Sequence, residues 1–436
     1  MTSTIAHTGF TQDSFEAFLA ARGEPAWLAD ARRRAWESFE RLDLPARNQE
    51  EWMRTDLRMF HLDRFGLPND LPAGAFPPSA LLSHGVDLAG HEVSLNSRPV
   101  ASALDPALAA RGVIFGSLDR LLSERADILR PYFDREIISP AVDRFAALHA
   151  ACWSGGSVLY VPRGVTVERP LHVLNGISAG GVDFGKTLVI LEEGAEATLL
   201  AETAGLDNNP GLHCGANEIF VGPGARLRYV NLQNWGTGVW HFAHQKALVD
   251  RDARLQWTIG ALGSRLAQVN QHVALVGTGA EAQVNGVMFT EGKQQLTYNT
   301  LQHHQAEHCR SDLLYKGALQ DRSRVVWRGM IKVDKGAQKT DGYQRNDNLM
   351  LSEHARADSI PGLEIEADDV RCTHGSTAGR VDDEQIFYAR CRGLTRKEAI
   401  RMIVAGFFQQ VFDRITIESV RDALGEAIGR RIREYD

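Results

Sequence analysis

Two soft metal ligands lie two residues apart near the C-terminal end of the chain, at Cys372 and His374. Alternate side chains of a β-strand point to the same face, so a strand here would present the thiol and the imidazole together. Iron and zinc both accept such ligands. Two ligands do not close a metal site, so either a second chain completes it or the pair is structural, a buried cysteine beside a hydrogen-bonded histidine. The spacing alone favours the structural alternative.

A denser group of ligand-type residues lies at residues 303–309, which read His-His-Gln-Ala-Glu-His-Cys. If this segment is a strand, His304 and His308 share one face and Cys309 lies on the other. Either face would then offer two or three nitrogen, sulfur or oxygen ligands. The alternative is a polar outer surface with one cysteine in the core. These three residues are therefore secondary candidates for a metal site.

The segment Gly180–Thr187 matches the G-x-x-x-x-G-K-T pattern of a phosphate-binding loop. That loop needs a helix N-terminus directly after it, so that backbone N–H groups face the phosphates. The residues that follow, Leu-Val-Ile-Leu-Glu-Glu-Gly, form an apolar run that ends in a turn. They predict a strand, so we interpret the match as fortuitous and keep nucleotide binding as a weaker hypothesis.

From Ser157 onward, short segments of alternating apolar and polar residues are separated by turns that contain Gly or Asp. A turn residue followed by alanine recurs at Ala195, Ala225, Ala253 and Ala280, at steps of 30, 28 and 27 residues. Looser copies begin at residues 321, 335 and 353. A repeat of this length without intervening helices indicates a stacked solenoid, in which each coil buries its inward residues against its neighbours. We predict a mainly β fold with a parallel β-helix core over residues 151–380.

Helical sequence flanks the predicted core on both sides. Residues 1–150 are predicted to be mostly helical, with a Pro/Gly linker at 66–80, and the run Arg32–Arg34 is interpreted as a solvated helix face. The C-terminal region, 381–436, contains a capping box, Thr395 with Glu398, at the start of a strongly periodic helix.

The apolar stripe of this C-terminal helix is wide for a helix near a chain end. It packs either onto the chain's own core or onto a partner protein, and the sequence leaves both alternatives open. Its members are Ile400, Ile403, Val404, Phe407, Phe408, Val411 and Phe412.

Composition narrows the class of protein. The net charge of −7 argues against a general nucleic-acid binder. No apolar run is long enough to span a bilayer, and the first ten residues lack the apolar segment of a secretion signal. The five cysteines are scattered and include no C-x-x-C, which is typical of reduced thiols in a cytoplasmic protein. No catalytic motif stands out, so we expect a protein that is not an enzyme.

The run from Ala367 to Gly393 reads Ala-Asp-Asp-Val-Arg-Cys-Thr-His-Gly-Ser-Thr-Ala-Gly-Arg-Val-Asp-Asp-Glu-Gln-Ile-Phe-Tyr-Ala-Arg-Cys-Arg-Gly. It resembles the C-terminal signature of the SufB/SufD family of the SUF iron–sulfur cluster assembly machinery. The segments Gly336–Leu349, Pro361–Ile365 and Glu50–Leu57 also resemble that family. From His374 the chain reads His-Gly-Ser-Thr-Ala-Gly where the SufB branch typically reads His-Glu-Ala-Thr-Thr-Ser, so the resemblance favours the SufD branch.

This resemblance implies a right-handed parallel β-helix with helical ends. It implies a scaffold that forms a heterodimer with a SufB-like paralogue and docks a SufC-like ATPase through its C-terminal helices, including the apolar stripe. An iron–sulfur cluster would form transiently and be shared with SufB, with none tightly bound to the isolated chain. The resemblance places His374 at the SufB interface, with Cys372 as its neighbour. The isolated chain could also pair with itself as a homodimer.

A second class of function is a β-helix protein that binds or processes polysaccharide. The predicted solenoid supports it, because many solenoids present an extended binding face. The free cysteines and the N-terminal residues oppose it, since such a protein would be expected to be secreted.

Overall fold

The computed structural model describes residues 9–67, 79–205 and 209–432. The elements of the N-terminal region are α1 (Gln12–Arg22), α2 (Ala26–Arg41), a short 3-10 helix (Leu62–Arg64), β1 (Gly90–Leu95), β2 (Arg98–Leu104), α3 (Pro106–Ala110), β3 (Ile114–Ser117), α4 (Leu118–Glu124), α5 (Ala126–Phe133) and α6 (Arg144–Cys152).

A long run of strands follows. These are β4 (Gly155–Val161), β5 (Leu171–Ile177), β6 (Val182–Asp183), β7 (Gly185–Leu191), β8 (Glu196–Gly205), β9 (Gly211–Val221), β10 (Arg226–Asn234), β11 (Val239–Val249), β12 (Arg254–Ala261), β13 (Leu266–Leu275), β14 (Glu281–Thr290), β15 (Gln295–His304), β16 (Arg310–Leu319), β17 (Arg324–Val333), β18 (Asp341–Met350), β19 (Arg356–Ile365) and β20 (Arg371–Arg380). The chain then forms α7 (Asp383–Cys391), α8 (Arg396–Phe412) and α9 (Glu418–Arg431).

The strands build two facing sheets. Sheet A runs in the order β2-β1-β5-β8-β10-β12-β14-β16-β18-β20, and sheet B in the order β19-β17-β15-β13-β11-β9-β7-β4-β3, with β6 beside β9. From β7 onward, consecutive strands alternate between the sheets, so each coil gives one strand to each sheet and pairs in parallel with the coils before and after it. The predicted mainly β fold with a parallel solenoid core is confirmed.

The repeated alanines lie at one turn of each coil. All four are fully buried, and each follows a residue with positive φ: Gly194, Gly224, Asp252 or Gly279. The main chain of each turn also bonds to the previous coil, as in Arg226 N to the carbonyl of Ala195 at 2.8 Å. The stacked turns therefore enclose a small side chain at this position. The looser copies at 321 and 353 precede β17 and β19 of sheet B, so they form the opposite turn of the coil.

The lumen of the solenoid is packed with the inward residues of both sheets. Aromatic rings continue from coil to coil, with Tyr229 and Trp257 at 5.5 Å between ring centroids and Tyr315 and Trp327 at 6.5 Å. Such rings each bury a large area and prefer tilted contacts, so they stabilise the stack. One continuous apolar core therefore runs through the coils.

The N-terminal helices cover the outer face of sheet B. Phe145 of α6 stacks on Phe242 of β11 at 3.7 Å between centroids. Arg32 of α2 is fully buried: its guanidinium bonds both carboxylate oxygens of Glu24 and the carbonyls of Ala151 and Trp153. The prediction of a solvated face was wrong for Arg32, because this side chain joins α2 to the first coils. The other two arginines of the run, Arg33 and Arg34, are exposed.

The boundaries differ in detail from those expected from the sequence. The N-terminal region contains β1, β2 and β3 as well as helices, and β1 pairs in parallel with β5, so strands of sheet A begin at residue 90. Residues 47–54 form turns rather than a helix. The Pro/Gly linker predicted at 66–80 lies mostly outside the described residues. Among those described, no helix is both long and apolar enough to cross a membrane.

Candidate functional site at the open end of the solenoid

The last coil of the solenoid has no neighbour on one side. β19 pairs only with β17, and β20 pairs only with β18, so each sheet ends in a strand whose outer edge is unpaired within the described residues. Both strands are ten residues long and largely exposed or half-buried. Edge strands of this length pair readily with another chain unless something blocks them. We call β19 and β20 together the open end.

Apolar side chains of the lumen are exposed at the open end. Leu363 and Ile365 continue the inward rows of Ile331 and Val333, with which they are in register. Ile331 and Val333 are fully buried, whereas Leu363 and Ile365 are 37% and 40% exposed. The difference arises because no further coil covers the last one. Solenoid ends of this kind normally require a cap.

The predicted pair lies on β20 at this open end. Cys372 is in register with Gly342 of β18, and His374 with Gln344. Because strand residues alternate, both side chains lie on the same face of β20, with the imidazole exposed and the thiol half-buried. The glycine at 342 leaves the thiol room, since a methyl group there would lie 3.3 Å from Cys372 Sγ.

The thiol of Cys372 stays protonated at neutral pH. Burial raises its pKa, the main-chain hydrogen bond from Gly342 opposes this, and the nearby carboxylate of Asp341 raises it further. A thiolate is the form that binds metal, so metal binding here would release a proton. A positive charge supplied from outside the chain would favour that step.

This donor set is incomplete by itself. Within the described ranges, no three His, Cys, Asp or Glu side chains are arranged to hold a metal ion. Cys372 and His374 could contribute one sulfur and one nitrogen, which suits iron or zinc only if further ligands come from another chain.

The segment 303–309 is not one strand. β15 ends at His304, and a turn follows in which His308 has φ of +58° and donates its N–H to the carbonyl of Gln338. Cys309 takes the place of the repeated alanine in this turn, 29 residues after Ala280, and its thiol contacts the carbonyl of Gly277 at 3.3 Å. The expected sharing of a strand face by His304 and His308 was therefore wrong.

His304 points into the lumen instead. Its Nε2 lies 2.8 Å from Ser311 Oγ, and the row continues in register through Gly342 to Cys372. Two strand spacings, about 10 Å, thus separate the level of Ser311 from that of Cys372. Burial lowers the pKa of His304 to about 4, helped by His303 and opposed by Asp341, so the imidazole is neutral at pH 7.

The apolar stripe of α8 packs onto the chain's own solenoid. Ile400, Val404, Phe408 and Val411 are buried against outward residues of sheet A such as Leu314. The remaining members, Ile403, Phe407 and Phe412, are partly buried in the same cluster. The sequence left open whether the stripe packs onto the chain's own core or onto a partner, and in this chain it packs onto the chain's own core.

Three large apolar side chains on the two adjacent helices α7 and α8 are exposed, which the sequence analysis did not predict. Phe387 and Tyr388 of α7 and Met402 of α8 are 69%, 60% and 53% exposed. We call these three residues the exposed C-terminal face. The signal was present in the sequence: Ile386, Phe387 and Tyr388 are consecutive, and three adjacent residues of a helix cannot all face one core.

The residues that follow the phosphate-loop match form a strand, as predicted, while Gly180 itself lies in a turn. Gly185 begins β7, and no helix follows the lysine. Lys186 is buried and forms an ion pair with Glu218 at 2.8 Å. Its ammonium group is therefore already neutralised within the fold.

These features define a class: a parallel β-solenoid protein whose last coil is unpaired within the described residues and carries a cysteine and a histidine on one strand face. Two family models match this chain. "SUF system FeS cluster assembly, SufBD core domain" matches residues 172–407, and "SufBD protein N-terminal region" matches residues 13–173. The chain belongs to the SufB/SufD family of iron–sulfur cluster assembly proteins.

Individual relatives agree. A SufBD family protein of Staphylococcus epidermidis is 27% identical over 421 residues, covering 94% of this chain and 90% of its own length. One from Staphylococcus saprophyticus is 30% identical over 333 residues, covering 76% and 71%. The SufB protein of Bacillus subtilis is 27% identical over 434 residues, covering 94% and 90%. The SufD branch stays a prediction, because these matches name the family and a SufB protein.

Proposed function

We propose that this chain is a SufD-like, non-catalytic scaffold subunit of an iron–sulfur cluster assembly complex. In this proposal it pairs through the open end with a SufB-like paralogue and docks a SufC-like ATPase through its C-terminal helices. The nascent cluster is held between the paired subunits. The free cysteines suit the reducing conditions of the cytoplasm, where we expect the complex to work.

The observation that supports pairing most directly is the open end. Both sheets end at the same coil, and their last strands have unpaired outer edges within the described residues. Leu363 and Ile365, which face the lumen, are exposed there. A partner with the same coil could continue both sheets and bury these side chains at one contact. A second copy of this chain could do the same, which would give a homodimer when the paralogue is absent.

The position of the ligand pair supports a shared cluster. His374 and Cys372 lie on the last strand, where the partner's own last strand would come next. A ligand set divided between two subunits releases its cluster when the subunits separate. This arrangement suits a scaffold that assembles clusters for transfer, and it explains why one chain supplies only two donors.

The ATPase is proposed to dock on the exposed C-terminal face rather than on the apolar stripe. Phe387, Tyr388 and Met402 present large apolar side chains to solvent on two adjacent helices. Arg392 lies 4.9 Å from the ring centroid of Tyr388 and donates to its hydroxyl at 2.8 Å, which orients the ring. Aromatic residues, Met and Arg are the types that are enriched at protein interfaces.

Co-purification of the chain with the SufB-like and SufC-like proteins of the same cell tests both contacts. Replacing Leu363 and Ile365 with aspartate should abolish retention of the paralogue and leave the ATPase bound. Replacing Phe387 and Met402 with serine should have the opposite effect. Val276→Asp, at an exposed residue of a solenoid turn, is the matched control and should change neither.

Cluster formation is measured on the intact complex under anaerobic conditions, as iron and acid-labile sulfide per complex. His374→Ala should leave the complex assembled and reduce both quantities, whereas His354→Ala, at an exposed turn residue, should not. Unchanged iron and sulfide in the His374 variant would remove this residue from the proposed site. Stoichiometric retention of the paralogue by the Leu363 and Ile365 double variant would exclude the open end as the interface.

A further inference from the structure

A second concave site lies in the N-terminal region, away from the open end. It is a cavity of about 740 Å³ between α1 on one side and β2 with α4 on the other. Its lining includes Phe18, Arg22, Arg98, Ser102 and Arg120. We call it the N-terminal cavity. Its volume is within the range of about 300–1,000 Å³ that is typical of small-molecule sites.

Two of its arginines, Arg98 and Arg120, form no close ion pair within the described residues. Within the parts of the chain that the structure describes, no carboxylate lies within 4.0 Å of the guanidinium of Arg98 or Arg120, unlike that of Arg22, which pairs with Glu24. Arg98 Nε is buried and finds no hydrogen-bond acceptor among the described residues. A buried donor without an acceptor costs free energy, so the cavity is set up to receive one.

The acidic groups nearby do not supply that acceptor. Asp119 lines the cavity and accepts a hydrogen bond from the Ser117 hydroxyl. Glu24 is shared between Arg22 and Arg32. Positive charge on the lining therefore exceeds negative charge.

Glu92 lies behind the cavity wall, directly opposite Ser102 in the β1–β2 ladder. It is 1% exposed, and burial raises its pKa to about 7. The Ser102 hydroxyl and Arg120 oppose this effect, and Asp119 adds to it. Below pH 7 its carboxyl group is therefore largely uncharged and does not neutralise Arg120.

We infer that the N-terminal cavity binds a small phosphorylated organic molecule, with Arg98 and Arg120 contacting its phosphate oxygens. Guanidinium groups form forked hydrogen bonds to phosphate, which has more acceptors than a carboxylate can offer. The hydroxyl of Ser102 lies on the same wall, and Ala17, Phe18 and Ala21 of α1 provide an apolar wall for the organic part of the ligand. The recessed position of Arg98 Nε favours a small molecule over a flat protein surface.

Calorimetric titration of the full-length chain with pyrophosphate and with ADP tests this inference at about 0.1 M salt, where surface charge is screened over about 10 Å. Both probes should bind saturably at one site. The double variant Arg98→Gln/Arg120→Gln should weaken binding at least tenfold. Arg251→Gln, at an exposed arginine in a solenoid turn, is the matched control and should bind like the natural chain.

A second variant keeps the test decisive if the double variant does not fold. Ala21→Trp fills the cavity from the exposed side of α1 and leaves every charged group in place, so it should also weaken binding at least tenfold. Thermal unfolding of each variant checks the fold. The inference is overturned if neither probe binds the natural chain, or if a correctly folded form of either variant binds as the natural chain does.

Discussion

The buried carboxyl group of Glu92 makes a quantitative prediction about stability. In the folded chain burial raises its pKa from the usual 4.5 to about 7. Between these values the folded state binds a proton that the unfolded chain has lost, so the contribution of Glu92 to stability should fall as pH rises through this window. Above pH 7 the full penalty is present, about 3 kcal/mol at about 1.4 kcal/mol per pH unit.

Glu92→Gln removes the ionisable group and keeps the shape of the side chain. The variant should therefore gain stability over the natural chain as pH rises, from almost nothing near pH 4.5 to about 3 kcal/mol above pH 7. Urea unfolding, followed by fluorescence at several pH values from about 5 to about 8.5, measures this difference. Glu40→Gln, at an exposed position on α2, is the matched control and should show no such trend.

A constant difference between the Glu92→Gln variant and the natural chain across this pH range would refute the reasoning. It would mean that the carboxyl group ionises equally in the folded and unfolded chains. The same conclusion would follow if the control and the variant changed stability together.

Two further predictions concern packing. Arg32→Ala leaves two main-chain carbonyls and part of Glu24 without their buried partner, so it should lower the unfolding free energy by about 3–5 kcal/mol. Arg33→Ala is the control and should lower it by less than about 1 kcal/mol, because the Arg33 side chain is 50% exposed. Equal costs in urea unfolding would show that the buried contacts contribute nothing. Ala253→Leu overfills a fully buried turn and should lower the unfolding free energy by about 1–3 kcal/mol. Ala405→Leu, on the exposed side of α8, is the control and should change it very little. A thermal midpoint that is unchanged in the Ala253 variant would contradict the stacked-turn packing.

The repeat was readable from the sequence because the fold imposes it locally. Each coil needs a small residue after a positive-φ position, and alanine after Gly or Asp satisfies both conditions at Ala195, Ala225, Ala253 and Ala280. The capping box at Thr395 is also a local signal, and both of its hydrogen bonds are present at the start of α8. Such features depend on neighbours within a few residues, so sequence reasoning can find them.

The turn within residues 303–309 could also have been predicted from the repeat. Cys309 continues the alanine series by a step of 29 residues, and a cysteine is small enough for the position. His308 with positive φ would then have been expected in the turn, where Asp and Gly occur in other coils.

Other features depend on distant parts of the chain. The burial of Arg32 requires carbonyls that follow it by 119 and 121 residues. The burial of the α8 stripe requires outward apolar residues on β14 and β16, more than eighty residues earlier. Hydrophobic periodicity predicts that a helix has an apolar face, but it does not predict which residues cover that face.

Hydrogen exchange at the open end tests the central claim most directly. Backbone amides of β19 and β20 are compared in the isolated chain and after addition of the SufB-like paralogue, with β10 inside the stack as an internal reference. Pairing through the open end predicts slower exchange in residues 356–365 and 371–380 on complex formation, and no change in β10. A complex that forms while exchange in these two strands stays the same would contradict the account.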